Sequence, residues 1–243
     1  MNYSYTDKMS YCINVEDIIG EEIAPGVTKR VLLTPENTGR GPLGKLSVNH
    51  YTLTNGGILT LDDPGVEYQD YIISGSVLFG VKYIHGNTTV FTPSGNKHTY
   101  RHAGESEVRV ISTTYSVPHP SHKWCKSRLA SLTKEFEQQL MTEEFHALTG
   151  AHRFHAIDIQ SWDRTEHTNP EETAYFLRGT GEMRVHDKWF KVKPGTLVYS
   201  EEGAIHAIKN TNPEGLPLQY YVMEYTEQDK MWSQRGLNPK IAY

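Results

Sequence analysis

Apolar and polar residues follow one another in short runs along most of the chain. In the first half, KLSVNHYTLT, YQDYIISGSVLFGVKYI, TTVFTPSG and VRVISTTYSV are rich in β-branched and aromatic residues and are separated by Gly, Pro and Asn turns. That pattern predicts short antiparallel strands. The second half repeats the rhythm in RFHAIDIQSW, ETAYFLRGTGEMRVHD, KWFKVKPGTLVYS and PLQYYVMEYT. Between them lies SRLASLTKEFEQQLMTEEFHAL, in which Leu129, Leu132, Phe136 and Leu140 fall at helical spacing and Gly150 supplies a stop. A helical connector is expected there.

The two halves also match in detail. YIISGSV (71–77) aligns with YFLRGTG (175–181), and TPSGNKHTYRHAG (92–104) aligns with SEEGAIHAIKNTN (200–212). Gly95 and His98 then stand opposite Gly203 and His206. A single duplicated β unit explains both matches. The fold expected is all-β, with two tandem jelly-roll barrels: residues 1–118, a short helical connector over 119–150, and residues 151–243.

Composition narrows the function classes. A 243-residue chain with 37% apolar and 11% aromatic residues can bury two cores. The formal charge of -5 comes without a basic stripe, which argues against nucleic acid as a partner. No apolar run approaches the roughly 18 residues of a spanning helix, and MNYSYTDKMSYC lacks a signal-peptide core, so a cytoplasmic protein with no membrane partner is expected. The two cysteines, Cys12 and Cys125, lie far apart and read as reduced thiols.

The chemistry concentrates in TEHTNPEETAYFLRG (165–179). His167, Glu172 and Gly179, followed by Pro194-Gly195 and by Gly203-Ala-Ile-His206, reproduce the spacing of the two cupin motifs, and the second half resembles a cupin. Thr165 stands where the cupin motif carries its first histidine. The resemblance implies a metal on His167, Glu172 and His206. Two imidazoles and one carboxylate suit one divalent ion, Mn or Fe, with Ni, Co or Zn as alternatives, and leave positions open for water or substrate. Glu166 points away from that face by strand parity, and Ala174 and Phe176 share the face of Glu172. Glu171 reads as a solvated outward carboxylate. In the first half only His98 survives, followed by His102, while Glu67, Asp62 and Asp63 are expected at the surface or in a turn before Gly65. No metal is expected in that barrel.

Over most of its length the chain is also similar to the bicupin (S)-ureidoglycine aminohydrolases, through RVLLTPENTGRGPLGKLSVNHYTLTNGG, TTYSVPHPSHKW and DKWFKVKPG. That resemblance implies manganese-dependent release of ammonia from a small metabolite. Its ligand pattern differs, with Thr165 for a glutamate, His167 retained, Glu172 for a histidine and His206 for a glutamine. Three readings therefore stand. One is a metal-dependent hydrolase, lyase or isomerase acting on a small polar metabolite. The second is a non-haem Fe(II) oxygenase built on two histidines and a glutamate, and the third is a small-molecule binder without catalysis. Thr165, Arg184, Tyr199, Tyr221 and Lys209 are candidates for holding an anionic substrate, and a homodimer or higher homo-oligomer is the expected assembly.

Overall fold

The computed structural model describes residues 10–39, 44–117, 128–131, 138–142, 148–156, 162–168, 171–213 and 216–225. The architecture is all-β. An initial strand, β1 (Ser10–Asn14), precedes the strands of the first half: β2 (Glu21–Ala24), β3 (Val27–Leu33), β4 (Leu46–Leu53), β5 (Ile58–Leu61), β6 (Val66–Ser74), β7 (Ser76–Phe79), β8 (Lys82–His85), β9 (Thr88–Thr92), β10 (His98–His102) and β11 (Val108–Ser116). The second half contributes β12 (Arg128–Ser131), β13 (Gln138–Thr142), β14 (Leu148–Ala156), β15 (Trp162–Thr168), β16 (Glu171–Arg178), β17 (Gly181–Val185), β18 (Lys188–Val192), β19 (Thr196–Ser200), β20 (Ile205–Asn210) and β21 (Leu218–Tyr225).

Each barrel is a large sheet faced by a four-stranded one. The small sheets run β5-β10-β7-β8 and β15-β20-β17-β18, and the large sheets share the order β9-β6-β11-β4 and β19-β16-β21-β14. The internal repeat is thus a repeat of topology. Its hairpin glycines agree too: Gly75 and Gly179 have φ of 77° and 81°, a left-handed turn that favours glycine.

Three apolar cores follow from strand parity. Tyr68, Ile72, Val77 and Tyr100 fill the first barrel, and Ala174, Phe176, Met183 and Ile208 fill the second. The third core joins the outer faces of the two large sheets, setting Leu32, Val48, Tyr71 and Tyr115 against Tyr175, Leu197, Tyr221 and Tyr225. There Tyr71 stacks on Tyr221 with centroids 4.2 Å apart, and Tyr221 Oη lies 2.7 Å from Thr89 Oγ1. Residues 220–225 of YYVMEYT accordingly form a largely buried strand.

Strand pairing crosses the division drawn from the sequence. β1 pairs with β19, so residues 10–14 belong to the sheet of the second barrel, while β12 pairs with β9 at the edge of the first. The expected helix is corrected as well. Among the described residues its segment forms β12 and β13, and β13 pairs with β14. The two large sheets otherwise end in strands whose backbone N–H and C=O groups lack partners. Pairing the backbones of β9 and β14 overrides a local helical spacing, and β12 and β13 become the outer strands. Leu132 and Phe136 lie outside the described residues, as do 40–43 of GRGPLG, His119, His122, Cys125, His146 and the chain from 226 onward. On β1 the Cys12 thiol is half-buried, and burial together with Asp17 pushes it up to about 11, which keeps it protonated and unreactive.

Candidate active site in the second barrel

Two strands of opposite sheets bring the principal residues together. On β16, Glu172 takes the same side as Ala174 and Phe176 and points into the barrel, as parity predicts. On β20, His206 alternates with Ala204 and Ile208, which also line that interior. Both functional side chains are buried, at 2% and 4% exposure. His206 Nε2 stands 3.3 Å from Glu172 Oε1, and His206 Nδ1 lies 3.0 Å from the carbonyl oxygen of Ala204. A carbonyl only accepts, so Nδ1 carries a proton and the imidazole is oriented with Nε2 toward the carboxylate.

His167 is placed by its backbone, which pairs directly with His206 on the neighbouring strand. Register shifts between Asp163 and His167, so Thr165 falls within an irregular stretch of β15, where simple alternation does not run through. The other substrate-binding candidates are placed elsewhere. Tyr199 and Tyr221 belong to the core between the barrels. Arg184 lies on the outer face of β17, with its guanidinium 5.9 Å from the Trp189 ring centroid, and Lys209 is half-buried on β20. Glu171 is also a correction: it is buried between the barrels and accepts a hydrogen bond of 2.7 Å from Tyr199 Oη. The outer face of β16 is covered by the first barrel, so an outward carboxylate there does not meet water.

One pair escapes a reading of the sequence. His186 Nε2 lies 3.0 Å from Glu201 Oε1, and both side chains are largely buried. His186 follows Val185, which pairs with His206, and Glu201 follows Ser200, which pairs with Glu172. The pair therefore stands at the ends of β17 and β19, the strands that pair with those of His206 and Glu172. His186 adopts a left-handed φ of 53°, uncommon for a non-glycine residue. Fifteen residues separate the partners, and no local motif links them.

In the first barrel the corresponding histidine is otherwise engaged. His98 Nε2 lies 2.7 Å from Asp70 Oδ2, and Tyr100 Oη donates to the same oxygen at 2.7 Å. Tyr68 occupies the place that Glu172 has in the repeat and sets its ring edge to face against His98, with centroids 5.0 Å apart. Glu67 corrects the expectation of a surface position, being fully buried. Asp62 is exposed beside Lys97, and Asp63 caps the turn to Gly65, as expected.

A separate cavity of about 460 Å³ opens where the inter-barrel layer ends. Its floor continues the face of Leu32, Leu46 and Val48, which turns polar at Arg30, His50 and Thr52. His50 is buried, and burial together with the Arg30 and Arg109 guanidiniums pushes its imidazole down to about 4. An unfolded histidine titrates near 6.5, so His50 is neutral in both states at pH 7, and below 6.5 the unfolded chain binds a proton that the folded chain does not. Stability from this group is full above pH 6.5 and falls by up to about 3 kcal/mol as pH drops to 4. Urea titrations across that range should show His50→Gln with a shallower decline, and an unchanged slope would show that His50 is not the group.

Comparison with known proteins agrees with the architecture. Residues 153–223 match the family model described as the cupin domain. None of the curated proteins matches the chain. Among solved structures, the protein Ylba from E. coli superposes with a TM-score of 0.72 at 16% identity, covering 89% of this chain and 90% of that one. The putative glyoxylate induced protein from Pseudomonas aeruginosa gives 0.68 at 13% identity, with 93% of each chain covered. A mutant of the oxalate decarboxylase from Bacillus subtilis gives 0.66 at 12% identity, covering 98% of this chain and 86% of that one. Those likenesses, at 12–16% identity, show the fold alone. Residues 153–223 thus form a cupin domain, and the chain as a whole is an all-β fold of two tandem cupin jelly-roll barrels.

Proposed function

We propose that the second barrel holds one divalent metal ion on His167, Glu172 and His206, and that the chain is a hydrolase, lyase or isomerase of a small polar metabolite. The observation that carries this reading is the facing of two Lewis bases. His206 is oriented through Nδ1, and its Nε2 stands 3.3 Å from Glu172 Oε1, both side chains being buried. Two such atoms at that separation need a cation or a proton between them. A third donor, the imidazole of His167, belongs to the residue whose backbone pairs with His206. Nitrogen and carboxylate donors of this kind suit Mn or Fe.

A divalent ion at this place would supply Lewis acidity, polarising a carbonyl or carboxylate oxygen of the substrate. The chain's own residues supply the rest. Phe176, Met183 and Val185 keep the interior apolar, which strengthens every charge interaction within it. His186, oriented by Glu201 at the ends of the neighbouring strands β17 and β19, is the candidate general acid–base, and that supports a reading in which protons move. Thr165, on the strand of His167, is the remaining candidate for touching substrate.

The donor set of two histidines and one carboxylate also serves Fe(II) oxygenases, so the test must separate the two. Protein purified without chelator or metal-affinity tag should contain about one Mn or Fe per chain by elemental analysis, and His167→Ala should not. Substrate-dependent O2 uptake after Fe(II) reconstitution would transfer the assignment to an oxygenase. Absence of metal even after reconstitution would overturn both enzyme readings and leave a binder.

A further inference from the structure

The cleft between the barrels has the chemistry of a second binding site, on the face of β16 opposite to Glu172. Its charges are unequal in their commitments. Glu16 is held by Lys193 at 2.7 Å and Glu107 by Arg109 at 2.7 Å, so these exposed pairs largely cancel. Arg30 bonds only to neutral groups, through Nε to the Ile18 carbonyl at 3.2 Å and through Nη1 to Thr52 Oγ1 at 3.5 Å. It faces the cavity with a positive charge that no carboxylate among the described residues neutralises. Beside it, the buried His50 has an Nδ1 without a hydrogen-bond partner. A buried, unpaired polar atom is costly unless something fills the need. The opposite wall is apolar, made by Tyr175 and Leu177 of β16, and Ile73 of β6 adjoins it on the side of His50; Tyr175 stacks toward His50 with centroids 6.4 Å apart. The volume of about 460 Å³ is that of a small-molecule pocket.

We propose that this cleft binds a small organic carboxylate, its charged end received by Arg30 and His50 and its apolar body resting on Ile73, Tyr175 and Leu177. Arginine offers a planar fork matched to a carboxylate, and a neighbouring imidazole adds a donor when it gains a proton. Around His50 stand Arg30 from β3, Arg109 from β11 and Tyr175 from β16, with Glu16 and Glu107 at the rim. The two guanidiniums and burial keep the imidazole neutral in the empty cleft. An arriving carboxylate offsets them, so binding takes up a proton and tightens as pH falls from 7.5 to 5.5. The site is independent of the metal centre proposed above.

The test is isothermal titration calorimetry with benzoate, in two buffers of different ionisation enthalpy, with benzamide as the uncharged counterpart. Saturable binding of one benzoate per chain with proton uptake is expected, and none of benzamide. Arg30→Gln should weaken benzoate by about tenfold or more, Arg30→Lys by less, and His50→Gln should abolish the proton uptake. Circular dichroism and metal content identify any variant that fails to fold, in which case Arg30→Lys carries the comparison. No saturable binding, equal binding of benzamide, or full affinity in both Arg30 variants overturns the proposal. So does loss of benzoate binding in His206→Ala with retention in Arg30→Gln, which would put benzoate at the metal centre.

Discussion

His206→Ala is expected to strip the second barrel of its metal, lowering occupancy from about one ion per chain by more than tenfold, because even residues that only support a ligand are worth 10- to 100-fold in affinity. His206 is the better of the histidines to remove first, since its orientation is fully seen: Nδ1 is tied to Ala204, and Nε2 is presented to Glu172. The variant also leaves Glu172 buried without its imidazole neighbour, so occupancy must be measured on the folded fraction after size-exclusion chromatography. Full occupancy in that fraction would remove the proposed site.

The second large effect lies in the first barrel and concerns stability. Asp70 is fully buried and receives both His98 and Tyr100 on one oxygen. Replacing it by alanine leaves a buried imidazole and a buried hydroxyl without their acceptor. Breaking a buried pair of this kind costs about 3–5 kcal/mol. The urea midpoint of Asp70→Ala should fall accordingly at constant m-value. Replacing the set together, with Asp70→Leu, His98→Leu and Tyr100→Phe, should recover most of the loss, because no polar group is then stranded. A loss below about 1 kcal/mol for Asp70→Ala would show that the three residues do not act as a unit. The contrast between the barrels is instructive. His98 and His206 are counterparts in the repeat, yet the carboxylate that reaches His98 stands two residues further along the strand than the one that reaches His206. That shift puts a tyrosine where the second barrel has Glu172, and turns a place for donors into a hydrogen-bonded core.

The strand rhythm, the duplication and the inward placement of Glu172 and His206 were all legible in the sequence. Strand alternation and turn glycines are local properties, and the side of a strand follows from counting residues. The spacing of His167, Glu172 and His206 marked one barrel as chemically different from the other for the same reason. Tertiary structure decided what each second face meets. Glu67, Glu171, Tyr199 and Tyr221 sit at outward positions of their own barrels; the two glutamates read as solvent-exposed and the two tyrosines as substrate contacts. They are buried because a second sheet lies against them. The edges of those sheets also determined the fate of the connector, in which β12 and β13 supply missing backbone partners where side-chain spacing favours a helix. The same holds for β1, which leaves its own half to pair with β19. The joining of Arg30, His50 and Tyr175 around one cleft depends on three strands from two barrels. The pattern along a chain reports which face of an element is apolar, whereas the partner of that face is set by the packing of elements far apart in sequence.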